Sequence, residues 1–267
     1  MEVIKAHAYG NDFLLMSEAD ATRSPNLPAL ARRLCHRHYG IGADGVMVVE
    51  ETAAGARTRL LNADGSHSEI SGNGIRCVAA WLAHTRGLEE GAQVLLETEA
   101  GPKQVDILSM DGLTYTCRAA MGQPEELRQE DIEVAGEMIR AVVLRVGNPQ
   151  CVVLGSAASV THERLHSLAA RLAVHPFFPN GTNVELATVE TPDRIRILIW
   201  ERGVGPTEAS GTGACAAAVA AAAFGRANRV SEVVAPGGTQ RVEWNDDGIQ
   251  LTGRASIVGR AELWGAR

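Results

Sequence analysis

The sequence predicts an α+β fold made of two copies of one unit, and two internal repeats carry that prediction. Ser-Gly-x-Gly occurs as Ser71-Gly72-Asn73-Gly74 and again as Ser210-Gly211-Thr212-Gly213, an offset of 139 residues. Residues 111–119, opening on Asp111-Gly112, resemble residues 247–255, opening on Asp247-Gly248, at an offset of 136. Between each tetrapeptide and its Asp-Gly the order of events is the same: an apolar helix, then a β-rich run with a glycine turn, Ala100-Gly101-Pro102 in the first copy and Pro236-Gly237-Gly238 in the second.

Strands are expected at 58–61, 94–97, 141–146, 195–200 and 231–235, where β-branched residues alternate. Helices are expected at 26–36, 73–84, 161–173 and 212–224. The two Asp-Gly pairs read as hairpin turns. No low-complexity linker separates the copies. The first lobe is assigned to 1–118 with a terminal strand at 256–267, the second to 119–255, and a cleft between them is the expected ligand site.

At 267 residues the chain suits one large domain or two of roughly 130. A net charge of −7 without a basic run argues against nucleic acid. Five cysteines without paired spacing read as reduced thiols in a cytoplasmic protein. The first residues show no apolar signal region. The longest apolar run, 214–224, is about half of what a bilayer requires, so a buried helix is expected and no membrane partner.

Each Ser-Gly-x-Gly has the pattern of a helix N-terminus, with serine at the capping position. Such an end carries orphan N–H donors and roughly half a positive charge, and carboxylates bind there. Serine before an alanine run is by itself an ordinary cap. Two copies at equivalent points of a repeat point to a shared anion clamp, suited to an amino-acid carboxylate. Further polar clusters join them: Gly10-Asn11-Asp12, Asn62-Ala63-Asp64-Gly65, Gly147-Asn148-Pro149, Gly181-Thr182-Asn183 and Glu201-Arg202. Each asparagine alone reads as an ordinary turn residue. Glu201-Arg202 places adjacent opposite charges at a strand end, fitting a substrate that carries an ammonium and a carboxylate.

Two other patterns fail their context. Cys35-His36-Arg37-His38 looks metal-like but has no second ligand cluster, so no metal is expected. Gly40-Ile41-Gly42-Ala43-Asp44-Gly45 has dinucleotide-loop spacing but follows no clear strand.

At these residues the chain resembles the diaminopimelate epimerase family. The resemblance runs through His7-Ala8-Tyr9-Gly10-Asn11-Asp12-Phe13, the glycine loop from Gly40, Asn62-Ala63-Asp64-Gly65-Ser66, Gly72-Asn73-Gly74-Ile75-Arg76-Cys77, Gly147-Asn148-Pro149, Asn183-Val184-Glu185, Glu201-Arg202-Gly203-Val204-Gly205 and Gly211-Thr212-Gly213-Ala214-Cys215. It implies two pseudo-symmetric lobes, each a β-barrel-like sheet around a central helix, with the last strand returning to the first lobe. It also implies a cofactor-independent isomerase interconverting LL- and meso-diaminopimelate in lysine and cell-wall precursor synthesis. Asn11, Asn62, Asn148, Asn183, Glu201 and Arg202 match residues that hold the substrate, and the amides around Gly72, Asn73, Gly211 and Thr212 match the carboxylate clamp. A small amino acid is the expected partner; the oligomeric state is open, a homodimer included.

The family's two catalytic cysteines are replaced here by Ser71 and Ser210, Gln150 stands where histidine is usual, and Pro206 where glutamate is usual. Cys77 and Cys215, inside their helices, read as core residues. An alcohol lies about seven pKa units above a thiol, on the order of 10 kcal/mol, whereas a helix dipole supplies about 0.3–2. Each serine therefore needs a neighbouring base. Glu69 and Glu208 precede their serines by two residues and, if extended, share a face with them. Two other readings stay open: an isomerase resembling the phenazine-pathway enzymes, with a carboxylate base, and a non-catalytic amino-acid-binding relative.

Overall fold

The computed structural model describes residues 1–264; Gly265, Ala266 and Arg267, the end of the segment assigned to the first lobe, lie outside the described residues. The chain forms two compact units, one comprising Met1–Ala120 with the chain from Thr252 onward, the other Met121–Leu251.

The first unit runs β1 (Glu2–Ala8), β2 (Asn11–Ser17), a single helical turn α1 (Glu18–Ala21), α2 (Leu27–Cys35), β3 (Gly45–Glu51), β4 (Gly55–Asn62), β5 (His67–Ser68), α3 (Gly72–Arg86), β6 (Gln93–Thr98), β7 (Gly101–Asp111) and β8 (Thr114–Gly122). The second runs β9 (Glu125–Val134), β10 (Glu137–Arg145), β11 (Pro149–Leu154), α4 (His162–Arg164), a π-helical turn (Leu165–Ala169), α5 (Ala170–Leu172), β12 (Asn183–Thr191), β13 (Arg194–Glu201), β14 (Gly205–Thr207), α6 (Gly211–Phe224), β15 (Val230–Ala235), β16 (Gly238–Asn245) and the start of β17 (Gly248–Glu262). The end of β17 belongs to the first unit.

Among the described residues of the first unit, eight strands close into a barrel in the order β1-β2-β3-β4-β6-β7-β8-β17, with β17 returning to β1. The seam between β8 and β17 carries a bond from the Ile257 N–H to the Leu113 carbonyl (2.9 Å) and another between Thr114 and Ser256 hydroxyls (2.8 Å). Helix α3 packs on β1, β2, β3, β6 and β7, inside the barrel. The second unit repeats the pattern: β9, β10, β11, β12, β13, β15 and β16 are joined in that order. Helix α6 packs on β10, β11, β12, β13, β15 and β16.

Helix sequence explains these positions. Helix α6 is mostly alanine, and every residue from Gly211 to Ala221 is buried. A helix apolar all round has no solvent face, and alanine keeps it slim enough for sheet to surround it. Its partner α3 is buried from Gly72 to Ala80, then stops on Gly87, whose φ of 61° makes a left-handed cap that glycine adopts at little cost. The outer faces are covered as well. Leu30, Ala31 and Leu34 of α2 pack with Leu14, Met16, Val46, Val48 and Leu61. Leu165, Leu168 and Leu172 pack with Cys151, Val184, Leu186 and Leu198. Strands β2 and β12 are therefore buried on both faces for six consecutive residues.

The turns repeat too. Two residues separate β6 from β7 and β7 from β8 in the first unit, and two separate β15 from β16 and β16 from β17 in the second. The helix expected over 161–173 is instead a short α-turn, a π-turn and another α-turn.

Candidate functional site

In the first unit, Ser71 stands as N-cap of α3 in extended conformation (φ −126°, ψ 122°), and its Oγ accepts the Gly74 N–H at 3.0 Å. In the second, Ser210 caps α6 (φ −133°, ψ 133°) and accepts the Gly213 N–H at 3.2 Å. Gly72, Asn73, Gly211 and Thr212 form the first helical positions and are buried. Their N–H groups include those a helix leaves without intrahelical carbonyl partners. Gln240 of β16 steadies the second start by donating to the Ser210 carbonyl at 3.1 Å.

The second glycine of each tetrapeptide is required for space. A methyl group built on Gly74 would lie 2.9 Å from Met47 Sδ and 3.2 Å from Ser71 Cβ. One built on Gly213 would lie 2.5 Å from Glu185 Oε1 and 3.1 Å from Ser210 Cβ.

Around the first start, Asn73 is fully buried; it donates to Asn11 Oδ1 at 3.0 Å and accepts from the buried Arg76 guanidinium at 2.5 Å. Asn11 in turn donates to Asp44 at 2.8 Å. Asp44 and Asp12 share Arg37, at 2.8 and 2.9 Å, and Lys5 bonds Asp12 and the Gly42 carbonyl. Burial opposes the charge on Asp12, but Arg37 and Lys5 outweigh it and hold the carboxyl below its ordinary range. Burial and the neighbouring Asp12 charge push Asp44 the other way. Asn62 ends β4 and donates to Ser66 Oγ at 3.0 Å.

Around the second start, Asn148 is buried in the turn before β11 and accepts from Gln150 Nε2 at 2.5 Å. Asn183 opens β12; its Oδ1 accepts the Arg202 N–H at 2.9 Å and its amide donates to the Pro149 carbonyl. Glu201 ends β13 and accepts from Thr207 at 3.1 Å. Arg202 bonds the Asn180 carbonyl at 3.0 Å, its stem lying where a side chain on Gly181 would be.

Glu69 and Glu208 lie outside the strands, because β5 ends at Ser68 and β14 at Thr207. The strand alternation expected to bring each carboxylate onto its serine's face thus does not apply to them. Glu69 is half-buried, whereas Glu208 is exposed beside a buried Ser210. All five cysteines are free and buried, and burial pushes the Cys77 thiol up to about 12, far from a neutral-pH thiolate. No cluster of three or more His, Cys, Asp or Glu among the described residues could hold a metal ion. No helix among them is long and apolar enough to cross a membrane.

The most unusual polar group ends the Asn183-Val184-Glu185 motif. Glu185 on β12 is fully buried, and neither carboxyl oxygen has a hydrogen-bond partner among the described residues. Burial, and then the charge of Glu201, hold its carboxyl well above the ordinary 4.5. An unfolded glutamate ionises near 4.5 while the folded one keeps its proton, so folding takes up a proton above that pH. Stability from this group is therefore full below 4.5 and falls as pH rises, by at most about 1.4 kcal/mol per pH unit. Glu185→Gln should escape the loss: in urea unfolding from about pH 5 to about pH 8, its stability relative to the unsubstituted protein rises with pH. Parallel pH profiles would show the carboxyl to be ionised when folded.

The family model for diaminopimelate epimerase matches residues 3–126 and 142–258. A diaminopimelate epimerase of Moorella thermoacetica is 40% identical over 98% of this chain and 99% of its own length. That of Desulforudis audaxviator is 42% identical over 97% of each. Among solved structures, a hydroxyproline epimerase from Agrobacterium vitis shares the fold with a TM-score of 0.75 at 18% identity, over 98% of this chain and 91% of that one. A Bacillus anthracis phenazine biosynthesis protein does so at 0.70 and 17%, over 99% of each. Likeness to epimerases over nearly the whole chain makes this protein an isomerase of the epimerase class. The chain belongs to the diaminopimelate epimerase family.

Proposed function

We propose that this protein interconverts LL- and meso-diaminopimelate without a cofactor, as a cytoplasmic step toward lysine and peptidoglycan precursors. The observation that carries the reading is identity of 40% and 42% to diaminopimelate epimerases over nearly the whole of each chain. Asn11, Asn62, Asn148, Asn183, Glu201 and Arg202 hold the substrate in this reading, and the amides at Gly72, Asn73, Gly211 and Thr212 take its carboxylate. Removing an α-proton builds negative charge toward that carboxylate, where fixed N–H donors are most effective. Ser71 and Ser210 stand as the acid/base pair, with Glu69 the better sited of the two neighbouring carboxylates because Glu208 is exposed.

A second reading, binding without turnover, is favoured by one observation: Glu208, the carboxylate nearest in sequence to the buried Ser210, is exposed. Proton NMR of LL-diaminopimelate in D₂O separates the two. Loss of the α-proton signal with appearance of the meso form is the expected result. Saturable binding without exchange would establish the second reading, and absence of binding would overturn both.

A further inference from the structure

The two helix starts are alike in sequence and capping, yet they rest on different side chains. Strand register makes the comparison exact in position. In the first unit Gly45 pairs with Phe13 and Asn62, and Met47 is one residue pair deeper, opposite Leu60. In the second, Asn183 pairs with Gln150, and Glu185 is one residue pair deeper, opposite Ile199. Side chains two apart on a strand share a face. Asn183 and Glu185 therefore point the same way, opposite to Val184 and Leu186, which join the outer apolar cluster. Met47 and Glu185 are repeat equivalents, each lodged against the second glycine of its Ser-Gly-x-Gly. One is a neutral thioether, the other a carboxyl group.

Resting on the functional reading above, we propose that Glu185 is a positioning residue for the Ser210 end of α6: a neutral carboxylic acid whose proton sets how much negative charge that helix start can hold. Three observations support it. The carboxyl is completely buried and unbonded among the described residues, so it is not a structural ion-pair member. Its Oε1 and Ser210 Cβ border the same space, the one a side chain on Gly213 would fill. Its counterpart in the first unit is a residue that cannot carry charge.

The groups around Glu185 supply no countercharge. On β13 the titratable neighbour is Glu201, which repels a second anion. On β11 it is the buried Cys151 thiol, pushed up by burial and by Glu185 itself. Helix α6 contains no charged residue, and its only ionisable side chain is Cys215. Ionised, Glu185 would oppose a substrate carboxylate at the α6 amides; protonated, it leaves them to the ligand.

An introduced thiol reports this without relying on any substrate. Ser210→Cys is prepared with Glu185 intact, with Glu185→Gln, and with Glu185→Met, which copies the first unit; thiolate formation is followed by ultraviolet absorbance against pH. The acid and thiol are expected to titrate as a coupled pair in the first protein. In the other two, the thiol should follow a simple one-proton curve with its midpoint at least about one unit lower, the scale of a like-charge neighbour. Infrared difference spectra of the Ser210 protein against Glu185→Gln should show a protonated carboxyl band at neutral pH. Superimposable thiol titrations, or absence of that band, would overturn the proposal. Failure of diaminopimelate turnover with the thiol coupling present would sink the functional reading alone and leave this one supported.

Discussion

Ser71→Cys combined with Ser210→Cys is expected to raise α-proton exchange of diaminopimelate by at least about 100-fold, the low end of what a positioned acid/base group contributes. The substitution exchanges one atom at each helix cap. A thiol has a pKa of about 8.5, and a helix N-terminus lowers it, so thiolate is present at neutral pH. An alcohol, close to water at about 15.7, gives almost none. The remaining residues named for substrate are already bonded into position: Asn11 through Asn73 and Asp44, Asn148 through Gln150, Asn183 through the Arg202 N–H. Serine is the better cap, so the double variant should lose about 1 kcal/mol at each start while gaining activity. Exchange that stays at background in a folded double variant would mean the pocket serves another ligand.

Asn73→Ala is expected to cost about 3 kcal/mol of stability and to weaken substrate binding, because it breaks the buried chain at its middle. Asn73 is the link through which Asn11 reaches Arg76, whose guanidinium is completely buried in α3. Removing one partner of a buried polar pair leaves the other desolvated, at about 1–3 kcal/mol each and more for a charged group. Asn11 then keeps Asp44 but loses the bond that fixes its carbonyl end. Urea unfolding gives the stability and calorimetric titration with LL-diaminopimelate the affinity. A change in stability below about 0.5 kcal/mol would show the chain to be unimportant.

Much of the architecture was legible because it is written in local chemistry. The Ser-Gly-x-Gly pairs start helices where expected, since cap, glycine and alanine run all favour the same backbone. The alanine-rich α6 reads as buried for want of a polar face. The duplicated turns at Gly101 and Gly238 follow from glycine between β-branched runs. Other parts were hidden by the same rules. Strand β3 (Gly-Val-Met-Val-Val-Glu-Glu) does not alternate, because α2 covers one face and α3 the other. Asn183-Val184-Glu185-Leu186 does alternate, but alternation suggests polar residues facing solvent, and here they face α6. Glu185 is thus invisible as a buried acid until the helix is in place. The network of Lys5, Arg37, Asp12 and Asp44 joins residues distant in sequence, and no spacing rule reaches it. Glu69 and Glu208 lie just past the ends of β5 and β14, so strand alternation does not by itself fix where their side chains point.

Strand β17 carries a temporal consequence. The first barrel needs it between β8 and β1, yet the whole second unit is translated before its last residues emerge. A nascent chain that has already made β1 through β8 must hold an open edge, with unpaired amides on β1 and β8, while the ribosome works through another unit. Open edges recruit other strands, and contacts this far apart in sequence form slowly. Synthesis of this protein therefore has a long vulnerable interval that closes only when β17 is made, and the demand for chaperones should last until then.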